Sequence, residues 1–266
     1  VVVTAKDAAT VILLRDAEGP GDQVEVLMVR RHAKSRFVPD AYVFPGGRVE
    51  AADYDPELEK RCVGLDFEAA YHRLRDIAPP EKALGTYVAG IRETFEEAGI
   101  FLACDPSGNP VTIDAANLHL FGPCRRELHA DRLSLIEILK KEGLYLAAHS
   151  LMYFSHWITP EASPIRYDVR FFVAPVPEGQ RARHDGVELT GHTWITPRAA
   201  LEGYAGGTFP IILPTRTVLA ELAQFTSTRE VVRSTEGKEV PAILTKMVLR
   251  DGQYVELLPH ELREGE

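Results

Sequence analysis

Two apolar runs, Thr10–Leu14 and Val24–Val29, open the chain, separated by a Glu18–Asp22 stretch rich in Gly, Pro and Asp. Short apolar runs flanking such a breaker predict an antiparallel hairpin. A shorter strand, Tyr42–Phe44, runs into Pro45-Gly46-Gly47, where glycine permits backbone conformations that other residues resist. From Asp53 to Pro80 the sequence is charged and helical in character, and Pro79-Pro80 stops it. Leu84, Val88, Ile91, Phe95 and Ala98 then recur at spacings of four, three, four and three, the apolar stripe of an amphipathic helix. Gly99 supplies its C-terminal cap, and Ile100–Ala103 is predicted to resume as a strand.

A second helical region is expected over Arg125–Gly143, with Leu133, Ile136 and Leu139 facing inward. Strands are predicted near Met152–Ile158, Val169–Val176 and His192–Ile195. Pro197 opens a short helix, Pro214–Phe225 reads as a longer one, and Ala242–Leu249 with Tyr254–Leu258 resembles a terminal hairpin around Asp251-Gly252. Strands mixed with helices, several of them in hairpins, predict an α/β sandwich rather than a purely parallel sheet. The whole chain, 1–266, reads as a single domain.

Composition narrows the function classes. The chain is 45% hydrophobic and 26% charged, ordinary for a globular protein, and no apolar run reaches membrane-spanning length. Its formal charge of −9 disfavours sequence-independent nucleic-acid binding, which needs Lys and Arg against phosphates, but leaves a small phosphorylated substrate open. Cys62, Cys104 and Cys124 are widely spaced, as expected of reduced thiols. The opening stretch does not read as a secretory signal, and Arg263–Glu266 is not a peroxisomal Ser-Lys-Leu signal, so a cytoplasmic protein without a membrane partner is expected. Neither a phosphate-binding Gly-x4-Gly-Lys-Ser/Thr loop nor a dinucleotide Gly-x-Gly-x-x-Gly is present, which removes kinase and dehydrogenase readings.

The chemistry sits on the polar face of the Leu84–Ala98 helix, which carries Arg92, Glu93, Glu96 and Glu97. Glu93 and Glu97 are neighbours at i, i+4, and a like-charge pair of this kind costs an isolated helix about 0.2–0.5 kcal/mol. Arg92 offsets part of this by pairing with Glu96. The remaining negative charge is what a hard divalent cation requires, although three acidic residues taken alone are more often a solvated helix face.

Together with Gly46-Gly47, the segment Arg92-Glu-Thr-Phe-Glu-Glu-Ala-Gly-Ile100 resembles the box of the Nudix family, Gly-x5-Glu-x7-Arg-Glu-U-x-Glu-Glu-x-Gly-U, with U aliphatic or aromatic. Thr94 occupies a U place, and Asp53 stands where the family has Glu. Thirty-eight residues separate Asp53 from Arg92, so the box carries an insertion at about 54–84, whose function, a substrate lid or a subunit contact among others, the sequence leaves open. Such an interruption is similar to the branch related to the peroxisomal coenzyme A diphosphatase and its bacterial counterparts. Val43-Phe-Pro-Gly-Gly47, Trp157-Ile-Thr-Pro160, Arg166-Tyr-Asp-Val-Arg-Phe-Phe172 and Phe209-Pro-Ile-Ile-Leu-Pro-Thr215 support that likeness.

The resemblance implies an α/β/α sandwich with a mixed sheet, a helical insertion inside the box, and a C-terminal helix and hairpin extension at about 214–266. It implies Glu93 and Glu97 as principal ligands of Mg²⁺ or Mn²⁺, Glu96 assisting, a carbonyl from Gly46 or Gly47 joining them, and Arg92 orienting the glutamates. Asp53 is either part of that site or a loop-side helix cap. Glu188 is the candidate general base, and Arg36 and Arg170 are the preferred substrate contacts over Arg30, Arg31 and Arg166. His184 and His192, eight apart without a third partner, read as structural. The implied reaction is hydrolysis of the diphosphate of a nucleoside diphosphate derivative, coenzyme A or acyl-coenzyme A first, ADP-ribose or a dinucleotide second. A catalytically silent nucleotide-binding regulatory module is the alternative of another class, and assembly is left open, a homodimer included.

Overall fold

The computed structural model describes residues 2–17, 23–35, 38–114, 116–250 and 252–263. Strands β1 (Lys6–Asp16), β2 (Val24–Arg31), β3 (Tyr42–Val43) and β4 (Gly46–Arg48) come first. A 3₁₀ turn over Ala51–Tyr54 and helices α1 (Pro56–Glu59) and α2 (Phe67–Leu74) precede α3 (Pro80–Glu93), which continues as a π-helical segment over Thr94–Ala98. β5 (Ala103–Cys104), α4 (Leu118–His129), α5 (Leu135–Glu142) and β6 (Tyr145–Leu146) lead to β7 (Met152–Ile158) and β8 (Tyr167–Pro175). β9 (Leu189–Ile195), α6 (Pro197–Ala205), α7 (Leu213–Leu222), α8 (Thr228–Ser234), β10 (Ala242–Leu244), β11 (Lys246–Arg250) and β12 (Gln253–Leu257) follow.

The main sheet is mixed. β10, β7, β8, β1, β2 and β3 lie side by side in that order, with β1 and β8 parallel over nine residue pairs. Because side chains alternate along a strand, β1 feeds two cores. Ala9, Val11 and Leu13 pack with Leu84, Val88, Ile91 and Phe95 of the α3 layer, while Ile12 and Leu14 pack with Val218, Leu219 and Leu222 of α7. Helices on both faces make the expected α/β/α sandwich. Among the described residues no helix is long and apolar enough to cross a membrane.

One local feature opens the site. The same edge of β1 pairs with β4 at Ala8–Thr10 and with β2 at Leu14–Asp16. β2 then diverges to pair with β9 and β3, so the sheet forks beside the Gly46-Gly47 turn.

Several elements depart from the sequence expectation. The region Arg125–Gly143 is two helices, divided at Ala130–Leu133, with Ser134 capping the second by accepting from Glu137 N–H. Residues Ile100–Leu102 do not form a strand. The side-chain amide of buried Gln180 instead donates to Phe101 O (2.9 Å) and accepts from Phe101 N–H (2.8 Å), replacing a neighbouring strand. The predicted terminal hairpin splits. Ala242–Leu244 joins the main sheet beside β7 as β10, and only β11 and β12 pair as a hairpin. The insertion buries Leu58, Leu65, Ala70 and Leu74 in the α3 core, so it packs against the body of the domain. The Glu18–Asp22 turn, Arg36 and Asp251 lie outside the described residues.

Candidate functional site

The polar face of the α3 helix is not solvated. Arg92, Glu96 and Glu97 are each less than a tenth exposed, and Asp53 is 3% exposed. Taking charges out of water is costly unless they are paired or bind a cation, so burial removes the solvated-face reading.

Arg92 organises the cluster. Its Nε and Nη2 donate to the two carboxylate oxygens of Asp53 at 2.9 and 3.0 Å, and Nη2 also donates to Arg48 O at 2.9 Å. Nη1 reaches Glu93 Oε1 at 2.9 Å and, more loosely, Glu96 Oε1 at 3.3 Å. Burial opposes the guanidinium charge, yet the hydrogen bonds it donates to Asp53 and the charges of Glu93, Asp53 and Glu96 hold its pKa above the ordinary value. Asp53 is hydrogen-bonded on two sides. It accepts from Glu50 N–H as the turn's cap (2.8 Å) and anchors the arginine that sets the glutamates.

The Gly46-Gly47 turn presses against these carboxylates. Gly46 N–H donates to Glu97 Oε2 at 2.8 Å. A Cβ on Gly47 would lie 2.3 Å from Glu93 Oε1, and one on Gly46 would lie 2.4 Å from Ala9 O. Glycine at both positions is what lets Glu93 and Glu97 lie against a strand-edge backbone.

The helix ends in π geometry, a form that recurs at functional sites. Gly99, at φ +69°, caps it. Thr94, fully buried in the place the motif gives to an apolar residue, satisfies its hydroxyl by donating to Gly90 O at 2.7 Å. Arg125 of α4 donates from Nε to Glu96 O and from Nη2 to Glu97 O, at 2.9 and 3.0 Å. It thus covers carbonyls that a helix C-terminus leaves unpaired.

Electrostatics match a cation site. Burial pushes the Glu93 carboxyl up to about 7, with Arg92 opposing and Glu96 adding to the rise. Burial and then the charge of Glu93 push Glu97 well above the ordinary carboxylate range, and burial also raises Glu96. Three carboxylates, those of Asp53, Glu93 and Glu96, thus share one guanidinium, with Glu97 beside Glu93, and the excess negative charge fits a divalent cation. Among the described residues no three His, Cys, Asp or Glu side chains close on one point. Waters and substrate oxygens would complete the shell, as is usual for Mg²⁺.

Arg92, Glu93, Glu96 and Glu97 line a cleft of about 540 Å³ whose walls include Arg31, Val38, Phe44, His129, Trp157, Tyr167, Glu188, Thr245, Met247 and Glu256. Glu188, named from sequence, is in the cleft, and its charge adds to the rise at Glu97. Arg170 is not. It lies 2% exposed with its guanidinium committed to Asp7 (3.1 Å), Asp76 (2.8 Å) and Asp168 (3.0 Å). The strand alternation placed it on the inner face of the sheet, where it ties the insertion to β1 and β8. Arg31 lines the cleft, as do Arg48 and Arg92, and its charge opposes the rise at Glu97. His129 also went unforeseen, 3.7 Å from Glu96 and 3.9 Å from Asp185. Nothing in local spacing points to it or to Arg125, because both arrive from a separate helix. His184 and His192 contact each other at 2.9 Å.

Comparison with known proteins agrees with this architecture. The model of the NUDT19 Nudix domain matches residues 59–217. The acyl-coenzyme A diphosphatase NUDT19 of Xenopus laevis is 29% identical over 249 aligned residues, covering 81% of this chain and 65% of that protein. This chain therefore spans a little under two thirds of the frog protein's length. The protein of the same name from Gallus gallus is 29% identical over 305 aligned residues, covering 96% and 78% respectively. The crystal structure of a Nudix hydrolase from Alicyclobacillus acidocaldarius superposes with a TM-score of 0.72 at 26% identity, over 88% of this chain and 97% of that one. With more than half of its length matching that family model, the carboxylate helix included, this chain belongs to the Nudix family, in the NUDT19 group.

Proposed function

We propose that the chain is a metal-dependent pyrophosphohydrolase acting on coenzyme A or an acyl-coenzyme A, releasing 3′,5′-ADP and the 4′-phosphopantetheine half. The observation that carries this reading is the pair of half-buried Glu93 and buried Glu97, set against the Gly46-Gly47 turn in an open cleft. The names of the relatives support the substrate. Glu93 and Glu97, with Glu96, would hold Mg²⁺ or Mn²⁺, which when bound neutralises phosphoryl charge and eases ionisation of water. Arg92 and Asp53 hold the carboxylates in place without touching substrate. Glu188, exposed on the cleft wall, takes the proton of the attacking water. Arg31, and Arg36 beside it in the chain, meet the substrate's phosphates.

The test is product analysis with Mg²⁺ or Mn²⁺ and a panel of coenzyme A, octanoyl-coenzyme A, ADP-ribose, NADH and nucleoside triphosphates. Preferential release of 3′,5′-ADP supports the reading. Turnover of ADP-ribose or NADH instead would keep the chemistry and replace the substrate, and tight binding without turnover would favour a silent regulatory module.

Gly47→Ala separates geometry from folding. The atoms nearest the added methyl are the carboxylate end of the Glu93 side chain, which can swing away, so the melting temperature will change little. Displacing that carboxylate by about an ångström will lower kcat about 10²-fold. Gly46→Ala, aimed at the fixed backbone of β1, will instead cost stability.

A further inference from the structure

The hairpin of β11 and β12 lies beyond the stretch matched by the family model, yet it furnishes part of the cleft wall through Met247 and Glu256. These two are cross-strand partners, and so are Leu249 and Tyr254. Residues two apart on a strand share a face, so all four stand on one side of the hairpin. The first pair lines the cleft. The second continues the same face outward, with Leu249 60% and Tyr254 75% exposed. Exposed large apolar side chains scattered singly are ordinary, but a contiguous apolar surface continuing a ligand cleft is a mark of ligand contact.

Charge says which part of a ligand this wall receives. Glu256 is the acidic group of that face, and its carboxylate accepts from the hydroxyl of buried Thr245, which steadies it. A carboxylate held there repels phosphate. The phosphorylated half of a substrate therefore belongs at the carboxylate–cation floor and Arg31, and the hairpin wall takes a phosphate-free arm. A two-stranded hairpin is marginal by itself. This one is tied to the body by β10 on the main sheet and by buried Leu257, so it can present a fixed surface.

We propose that the Met247–Leu249–Tyr254 face is a subsite for the acyl arm of an acyl-coenzyme A, making chain length a determinant of specificity. This rests on the coenzyme A reading above. Steady-state rates on coenzyme A, acetyl- and octanoyl-coenzyme A test it, with the full chain and Mg²⁺. The wild-type ratio of kcat/KM for octanoyl-coenzyme A over coenzyme A should reach about tenfold, in line with what a few methylenes gain on an apolar wall. In Leu249→Ser/Tyr254→Ser it should fall toward one. A folding-independent check uses Tyr254→Trp in the Glu97→Gln background, at a side chain already three-quarters exposed. Its emission should shift to the blue with octanoyl-coenzyme A and not with coenzyme A. Turnover of coenzyme A with no chain-length effect, or equal emission responses, would overturn the subsite while leaving the hydrolase reading intact. No turnover of either thioester or coenzyme A would overturn both.

Discussion

Glu97→Gln will lose about 10³-fold in turnover and, without metal, will melt at a higher temperature than the wild type at pH 8. The two effects share one cause. Glu97 is buried beside Glu93, and burial followed by that like charge raises its proton affinity. In a folded state that prefers the neutral acid, stability is greatest where the carboxyl is protonated in both folded and unfolded chains. As pH rises from the ordinary glutamate value of 4.5, the unfolded chain gives up its proton first, and folded-state stability declines. For Glu93 the folded value is about 7, so the loss runs between about pH 4.5 and 7 and is complete by pH 8. Glutamine carries no proton to lose, still accepts from Gly46 N–H, and relieves Glu93 of its like-charged neighbour. The gain is read directly as the difference in melting temperature between the two proteins, present at pH 8 and shrinking as the pH falls below the ordinary glutamate value, where folded and unfolded chains both carry the proton.

A saturating divalent cation should reverse the order by stabilising the wild type, because binding to the folded state adds directly to its stability. The loss of turnover follows from removing a charge that holds a phosphate-bridging cation. Thermal melts from pH 5 to 8, with EDTA and with Mn²⁺, read both arms. A wild type that outlasts the variant in EDTA at pH 8 would remove the argument for a strained anionic pair.

The second large effect is expected at Arg92. Arg92→Ala leaves Asp53 buried and without its bidentate partner, and strips Glu93 and Glu96 of their cation. Breaking one side of a buried ion pair costs about 3–5 kcal/mol, and denaturant titration should show a loss of that size. Arg92→Lys should recover only part of it, since one ammonium cannot serve Asp53, Arg48 O and Glu93 together in the fork geometry of the guanidinium. Arg92→Ala/Asp53→Leu should regain stability while remaining nearly inactive. That split between restored folding and lost turnover distinguishes a residue that positions the glutamates from one that only holds the fold.

The stretch from Arg92 to Gly99 was legible because its information is local. Spacings of three and four put Leu84, Val88, Ile91 and Phe95 in the core, and the same periodicity forces Glu93 and Glu97 onto the other face. The αL cap at Gly99 and the tight Gly46-Gly47 turn are likewise written in residues that alone tolerate those backbones. Where pattern reading erred, a distant partner had intervened. Ile100–Leu102 looks like a strand, but the Gln180 side chain takes the place of its neighbour. Ala242–Leu244 looks like half of a hairpin, but β7 offers it an unpaired edge.

Charge was the least legible property. Arg170 and Arg31 are equivalent cations in sequence, and their roles depend on which carboxylates arrive from elsewhere. Asp76 from the insertion and Asp7 from β1 claim Arg170, and the fork of the sheet leaves Arg31 facing the cleft. By itself, then, the sequence determined the α/β class, the amphipathic carboxylate helix with its cap, the glycine turn and the acid cluster's identity. These follow from periodicity and backbone sterics, which act over a few residues. Only the tertiary structure decided that the acidic face is buried, that Asp53 clamps Arg92, that the insertion packs into the core and that the C-terminal hairpin reaches the cleft. Those outcomes turn on desolvation and pairing between groups far apart in the chain, and no local spacing encodes them.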